Sequence, residues 1–404
     1  MRHDQDSVKA THPFISFADF DFARLTNKMT WLLLGETMSK CQHLAHAPIT
    51  PGLANKLARM YLVKGAQATT AIEGNTLSEA EVQAILDKGT ADLGPSRKYQ
   101  EQENKNILEA VIEIGDHLVQ GHRIPITAER LCALNAQVLK DVPDVAYVVP
   151  GELRTMNVVV GPYQPPHWQD VPTLVKDFEG WLHRMRSKVS DESSTEDRFV
   201  VAFLTASLAH LYLAWIHPFG NGNGRTARLV EAQILAESGV VPLVSAQLMS
   251  NFFNLTRDAY YHHLNKARTD PDGRGVPEFI HYAIEGFADQ LRDQIGAVQD
   301  QNLHIVWQSY VHEIFEHNYK HTEARSRQRK LAMAMPAGQA ITPEQATDLN
   351  TELARLYARA EGRMPARDLN DLVKLGLVAR VGKRAFRPRR ELIQEFLPPV
   401  FNRE

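Results

Sequence analysis

Between Phe199 and Ile216 the chain reads FVVAFLTASLAHLYLAWI, and it enters HPFGNGNGRTAR without a break. No other feature constrains the fold as strongly. A run of this length and apolarity could cross a membrane. It carries Thr205, Ser207 and His210, no second span accompanies it, and it leads straight into a glycine-rich loop. The stretch is therefore expected to be the buried central helix of a helical domain, with no membrane as partner.

A helical period dominates the flanks. Residues 17 to 90 read as helices broken at Glu73-Gly74-Asn75 and restarted at Ser78, where Glu81 completes a capping box. Two more amphipathic helices are expected at 99 to 118 and 127 to 140, the second capped by Thr127. The texture then changes. YVVPGELRTMNVVVGPYQPPHW (147 to 168) combines β-branched runs with glycine and a Pro-Pro pair, which predicts a short hairpin or extended flap. Helices resume at 171 to 188, at 226 to 238 and on to about 300. Pro336 to Thr342 reads as a linker or turn. Beyond it come a helix, a turn, a helix and a short basic hairpin. The expected fold class is all-α with a β-hairpin flap and a C-terminal module like a winged helix-turn-helix. Its domains are expected at 1–95, 96–300 and 301–404.

At 404 residues, 44% hydrophobic and 23% charged, the chain has the composition of a soluble globular protein. A net charge of -3 gives no global attraction to nucleic acid or anionic membranes. Cys41 and Cys132 stand far apart, which excludes a disulfide scaffold and suits a reducing cytoplasm. The first residues lack the apolar centre of a signal peptide, so a cytoplasmic location is expected.

The loop reads as an anion cradle. Gly220, Gly222 and Gly224 permit the positive φ angles with which successive backbone N–H groups converge on one point. A helix expected from about Thr226 directs its positive end at the same point. Arg225 and Arg228, three residues apart, can fork onto phosphate oxygens. A Walker loop would need Gly-Lys-Ser/Thr after a strand, and the strict alternation of glycines excludes the dinucleotide fingerprint. His217, beside bound phosphates and with a near-neutral pKa, is suited to act as general base toward a hydroxyl. The plainer alternative is a turn with a core histidine and two surface arginines.

The segment resembles the Fic signature H-P-F-x-[D/E]-G-N-G-R-x-x-R at His217, Pro218, Phe219, Gly222, Asn223, Gly224, Arg225 and Arg228. The resemblance implies an all-helical enzyme that moves AMP from ATP to a hydroxyl side chain of a target protein, or of itself, with release of pyrophosphate. In that reading His217 deprotonates the hydroxyl. Asn223 and the N–H groups of Gly222, Gly224 and Thr226 hold the α-phosphate, and Arg225 and Arg228 hold the β- and γ-phosphates. TTAIEGN (Thr69 to Asn75) is similar to the family's inhibitory motif [S/T]-x-x-x-E-[G/N], with Thr69 and Glu73 at its fixed positions. By that likeness Glu73 pairs with Arg228 and keeps ATP out of its productive pose, placing the chain with relatives whose inhibitory helix precedes the core. Tyr260, followed by Tyr261, matches a family position near the adenine, although a tyrosine pair is as readily core packing.

The departure from the signature is Asn221, where the family has an acid that helps hold Mg²⁺. A neutral amide oxygen is a weaker ligand for a hard cation, so Mg²⁺ binding and activity are expected to be reduced. The family likeness also implies a target protein docked on the 157–168 flap, and a homodimer. A second reading makes the chain a nucleotide-sensing DNA-binding regulator with a weakened Fic core. It draws on Asn221 and on the basic hairpin at Arg380, Lys383, Arg384, Arg387, Arg389 and Arg390. A third keeps the enzyme but changes its donor or its direction.

Overall fold

The computed structural model describes residues 8, 11–19, 27–143, 148–270, 274–318, 322–358 and 363–393, with the side chains of 317 and 318 excepted. Parts of two expectations, residues 20–26 of the first helical run and Tyr147 of the flap, lie outside them. The chain divides into two compact units, Met1–Ile295 and Gly296–Glu404.

In the first unit, helices α1 (Lys28–Ala45), α2 (Pro51–Ala71), α3 (Glu79–Lys88), α4 (Lys98–Val119) and α5 (Ala128–Leu139) precede the flap. After it come α6 (Val171–Arg186), α7 (Thr195–Ile216), α8 (Asn223–Glu237), α9 (Leu248–Leu255) and α10 (Arg257–Thr269). Helix α11 (Gly275–Asn318) begins in this unit and ends in the second. Local chemistry sets the boundaries. Ser78 and Glu81 form the reciprocal capping box at the start of α3, and Thr127 accepts from the Arg130 N–H to cap α5.

Helix α7 is apolar around its whole circumference because it is covered on every side. Its membrane-length window is 89% buried, with α6 and α8 among the helices packed against it. Ser194 caps its N-terminus by accepting from the Asp197 N–H at 3.0 Å. At the other end the backbone turns left-handed at His217, φ 50 and ψ 60. A histidine there is strained, and the surrounding packing holds it.

The flap differs from the expected hairpin. Its only ladder contacts among the described residues are the single bridges Leu153↔Phe219 and Val160↔Tyr163. Among the described residues no partner strand extends either bridge, and the β-branched run closes into turns. The helix after the glycine loop begins at Asn223, three residues before the expected start.

The second unit packs Trp307, Val311, Leu331, Leu353, Leu369, Leu372 and Phe386 into its own core. Helices α12 (Glu323–Ala334), α13 (Thr351–Ala358) and α14 (Met364–Lys374) lead into an antiparallel pair, β1 (Val378–Val381) and β2 (Ala385–Pro388). Asp368, buried on α14, accepts from Arg327, Gln328 and Tyr357 and so fastens three helices. The expected 336–342 linker is a turn fixed by a pair of 2.8 Å hydrogen bonds between Ile341 and Phe386. Several cations of the basic hairpin are already engaged: Arg387 and Arg389 pair with Glu391, Arg380 donates to Asn370, and Arg390 donates to the Met335 carbonyl. Lys383 and Arg384 stand exposed at the turn.

Candidate active site

Six residues, from His217 to Gly222, form the loop between α7 and α8. The three glycines serve different needs. Only Gly222 takes a positive φ, 75°, because it turns the chain into α8. Gly220 and Gly224 have ordinary backbones and are small because of their neighbours. A Cβ at 220 would lie 2.9 Å from Val148 Cγ2, and one at 224 only 2.3 Å from Glu73 Oε1. The expectation that all three supply left-handed backbone is corrected accordingly.

Asparagines shape the loop. Asn223 Oδ1 accepts from the Phe219 N–H at 2.9 Å and its Nδ2 donates to the Phe219 carbonyl at 2.8 Å, so this side chain braces the loop from within. Asn221 Oδ1 accepts from the Gly222 N–H at 2.7 Å. Asn135, fully buried on α5, is a hub that sequence reasoning missed. It donates to the Asn221 carbonyl and to Thr226 Oγ1, and it accepts from the Gly151 N–H of the flap.

Arg154 was also missed. Its Nε donates to the His217 carbonyl at 2.8 Å and its Nη1 to the Met156 carbonyl, while its own N–H donates to the Pro218 carbonyl. One buried guanidinium thus ties the flap to the strained histidine, and burial lowers its pKa to about 10. The only sequence signal was a lone arginine inside a β-branched run.

His217 lines a cavity of about 560 Å³ together with Asn223, Gly224 and Arg228. Burial lowers its imidazole pKa to about 4, well below the near-neutral value expected, while the ring hydrogen-bonds the Ala214 carbonyl. The nitrogen facing that carbonyl carries the proton, which leaves the other with a free lone pair at neutral pH.

The two signature arginines are held by acids from earlier in the chain. Arg228, its side chain 1% exposed, donates through Nη2 to Glu73 Oε1 at 2.6 Å and to the Thr69 carbonyl at 2.9 Å. Thr69 therefore engages through its backbone. Glu73 lies two residues beyond α2, and the Arg228 charge beside it holds its carboxyl below the usual range against the opposing effect of burial. Arg225 turns away from the cavity and pairs with Glu103 of α4 at 2.7 Å. Thr226 is buried beside Asn135. Tyr260 lines the cavity with its ring, while its hydroxyl sits 2.9 Å from His210 Nε2, whose Nδ1 faces Glu231 Oε2 at 3.2 Å. The Tyr261 hydroxyl reaches the Ile72 carbonyl, next to Glu73.

The donor set around the loop fits Mg²⁺ poorly. The Asn221 side-chain oxygen is occupied by a backbone N–H, Glu73 is paired with Arg228, and no group of three His, Cys, Asp or Glu side chains suited to a metal occurs among the described residues.

Comparison with known proteins agrees with this geometry. Residues 125–235 match the model of the Fic/DOC family. The protein adenylyltransferase Fic of Drosophila yakuba is 34% identical over 221 residues, 54% of this chain and 39% of that protein. The protein adenylyltransferase fic-1 of Caenorhabditis elegans is 27% identical over 265 residues, 65% of this chain and 46% of that one. The chain thus spans less than half the length of these curated relatives. A Fic family protein from Desulfovibrio desulfuricans shares the fold, with a TM-score of 0.53 at 20% identity over 90% of this chain and 96% of that one. Residues 125–235 thus form a Fic domain within the chain.

Proposed function

We propose that the protein is an autoinhibited nucleotidyltransferase that moves AMP from ATP to a hydroxyl side chain of a target protein. The observation that carries this reading is one cavity shared by a neutral histidine, the N-terminus of α8 and Arg228, with Glu73 lodged on that arginine. The curated relatives named protein adenylyltransferases support it.

In this mechanism the triphosphate lies against the start of α8, where unpaired N–H groups and the helix dipole favour negative charge. His217 takes the proton of the target hydroxyl. The oxygen bonds to the α-phosphorus, the bridge to the β-phosphate breaks, and pyrophosphate leaves. Arg154 holds the His217 backbone in place, so the geometry is set before substrate arrives. Arg228 meets the outer phosphates only after Glu73 has moved off it. No step is assigned to Mg²⁺. The flap offers exposed Met156, Val159 and Val160 to an extended segment of the target.

The test uses ATP labelled at the α- or the γ-phosphate with the Glu73→Gly protein. Nucleotidyl transfer leaves the α-label on protein and the γ-label in pyrophosphate. Protein carrying the γ-label, or no label from either, would refute the reading. The regulator alternative rests on Lys383 and Arg384 standing exposed at the hairpin turn. It requires duplex binding that weakens steeply with salt and survives Lys383→Ala and Arg384→Ala only in part.

A further inference from the structure

The cavity has two ends of different chemistry. At one, Asn223, Gly224 and Arg228 surround the N-terminus of α8. At the other, Pro162 and Tyr163 of the flap, Trp215 and Leu264 contribute an apolar lining suited to a base. Helix α10 runs between them. Tyr261, Leu264, Asn265 and Arg268 recur at the spacing of one helical face, and all four line the cavity. Tyr261 sits beside the Glu73 turn through its hydroxyl on Ile72. Arg268 lies seven residues on, roughly 10 Å further along the axis.

Among the described residues, Arg268 is the one lysine or arginine that lines this second end. Its guanidinium lies over the Tyr163 ring, 4.5 Å from the centroid, and one of its nitrogens donates to Asn265 Oδ1. Among the described residues it has no carboxylate partner. Stacking fixes the plane of the guanidinium and leaves further N–H groups directed along its edge. A guanidinium donates hydrogen bonds and accepts none. Guanine presents two adjacent acceptors, O6 and N7, which match such a fork. Adenine places an N6 amine donor beside N7, which a guanidinium opposes.

We infer that Arg268 reads the nucleobase and admits GTP as a donor at least as readily as ATP. The inference rests on the nucleotidyl-transfer reading and deepens it. With GTP the step is the same: the target oxygen bonds to the α-phosphorus, its proton passes to His217, the α–β bridge breaks and pyrophosphate leaves with GMP retained on the target.

Calorimetric titration of the full-length Glu73→Gly protein with GTP and with ATP tests this apart from catalysis. Glutamine pairs with adenine N6 and N7 as arginine pairs with guanine, so Arg268→Gln should move the GTP/ATP affinity ratio about tenfold toward ATP. Arg268→Met keeps an apolar stem over Tyr163, removes every donor and should shift the ratio the same way, which provides the test if the glutamine variant fails to fold. GTP binding at least as tightly as ATP, with a ratio that follows these variants, is the expected result. ATP binding without GTP, or a ratio indifferent to both variants, would overturn the inference and leave nucleotidyl transfer standing. Binding of neither nucleotide would overturn both.

Discussion

Gly224 is the reason Glu73 can reach Arg228. A Cβ at 224 would stand 2.3 Å from Glu73 Oε1 and 3.1 Å from Arg228 Nη1, in the space the ion pair occupies. The glycine therefore makes room for the ion pair that the proposed mechanism treats as inhibitory. Gly224→Ala should displace the Glu73 carboxylate without creating a usable nucleotide site, because the methyl group remains between loop and arginine. The melting temperature should fall by a few degrees, and added ATP should recover little of it, unlike in Glu73→Gly.

The ion pair also stabilises the apo protein. Arg228 is fully buried while the Glu73 side chain is 35% exposed toward the cavity. Removing one partner of a closed buried pair costs about 3–5 kcal/mol, and an open carboxylate side reduces that. Glu73→Gly should cost about 2 kcal/mol and lower the melting temperature by roughly 4–8 °C. ATP should restore stability in this variant by pairing with the exposed guanidinium, and it should stabilise the native protein far less.

In the proposed mechanism, protonation of His217 sets the acid limb of activity. Its folded pKa of about 4 lies below its ordinary 6.5 because burial disfavours the imidazolium. In the Glu73→Gly protein, kcat/KM should hold its plateau through pH 6.5 and fall near pH 4. An inflection at the ordinary histidine value would show a solvated base. Across the same window the unfolded chain binds the proton that the folded chain refuses. This group's contribution to stability is thus complete above pH 6.5 and is lost as pH falls toward 4.

Asn221→Asp examines the metal question. One carboxylate oxygen can keep the Gly222 N–H that Asn221 Oδ1 now accepts, which leaves the second free for a cation. Transfer rate and its dependence on Mg²⁺ concentration should rise together. A rate unchanged at every Mg²⁺ concentration would mean that the position has no metal role in this chain.

The helical frame was legible because its signals are local. The apolar run gave α7, and Ser78, Glu81 and Thr127 marked helix starts by pairings three residues away. The Glu73–Arg228 contact spans 155 residues and was legible only through two motifs read together. Asn135, Arg154, Glu103 and His210 were not legible. Each reaches a partner 50 or more residues away, and each gains its role when packing removes it from water. The glycine loop was misread in part for the same reason. Conformational freedom is a property of glycine itself, whereas the need for space at 220 and 224 comes from Val148 and Glu73.

The central claim is that Glu73 silences the site by occupying Arg228. Single-turnover transfer of α-labelled nucleotide to protein, compared between the native chain, Glu73→Gly and Glu73→Gly with His217→Ala, tests it most directly. The account predicts slow transfer by the native chain, at least tenfold faster transfer by Glu73→Gly, and none once His217 is also removed. Equal rates for the native and Glu73→Gly proteins would contradict it.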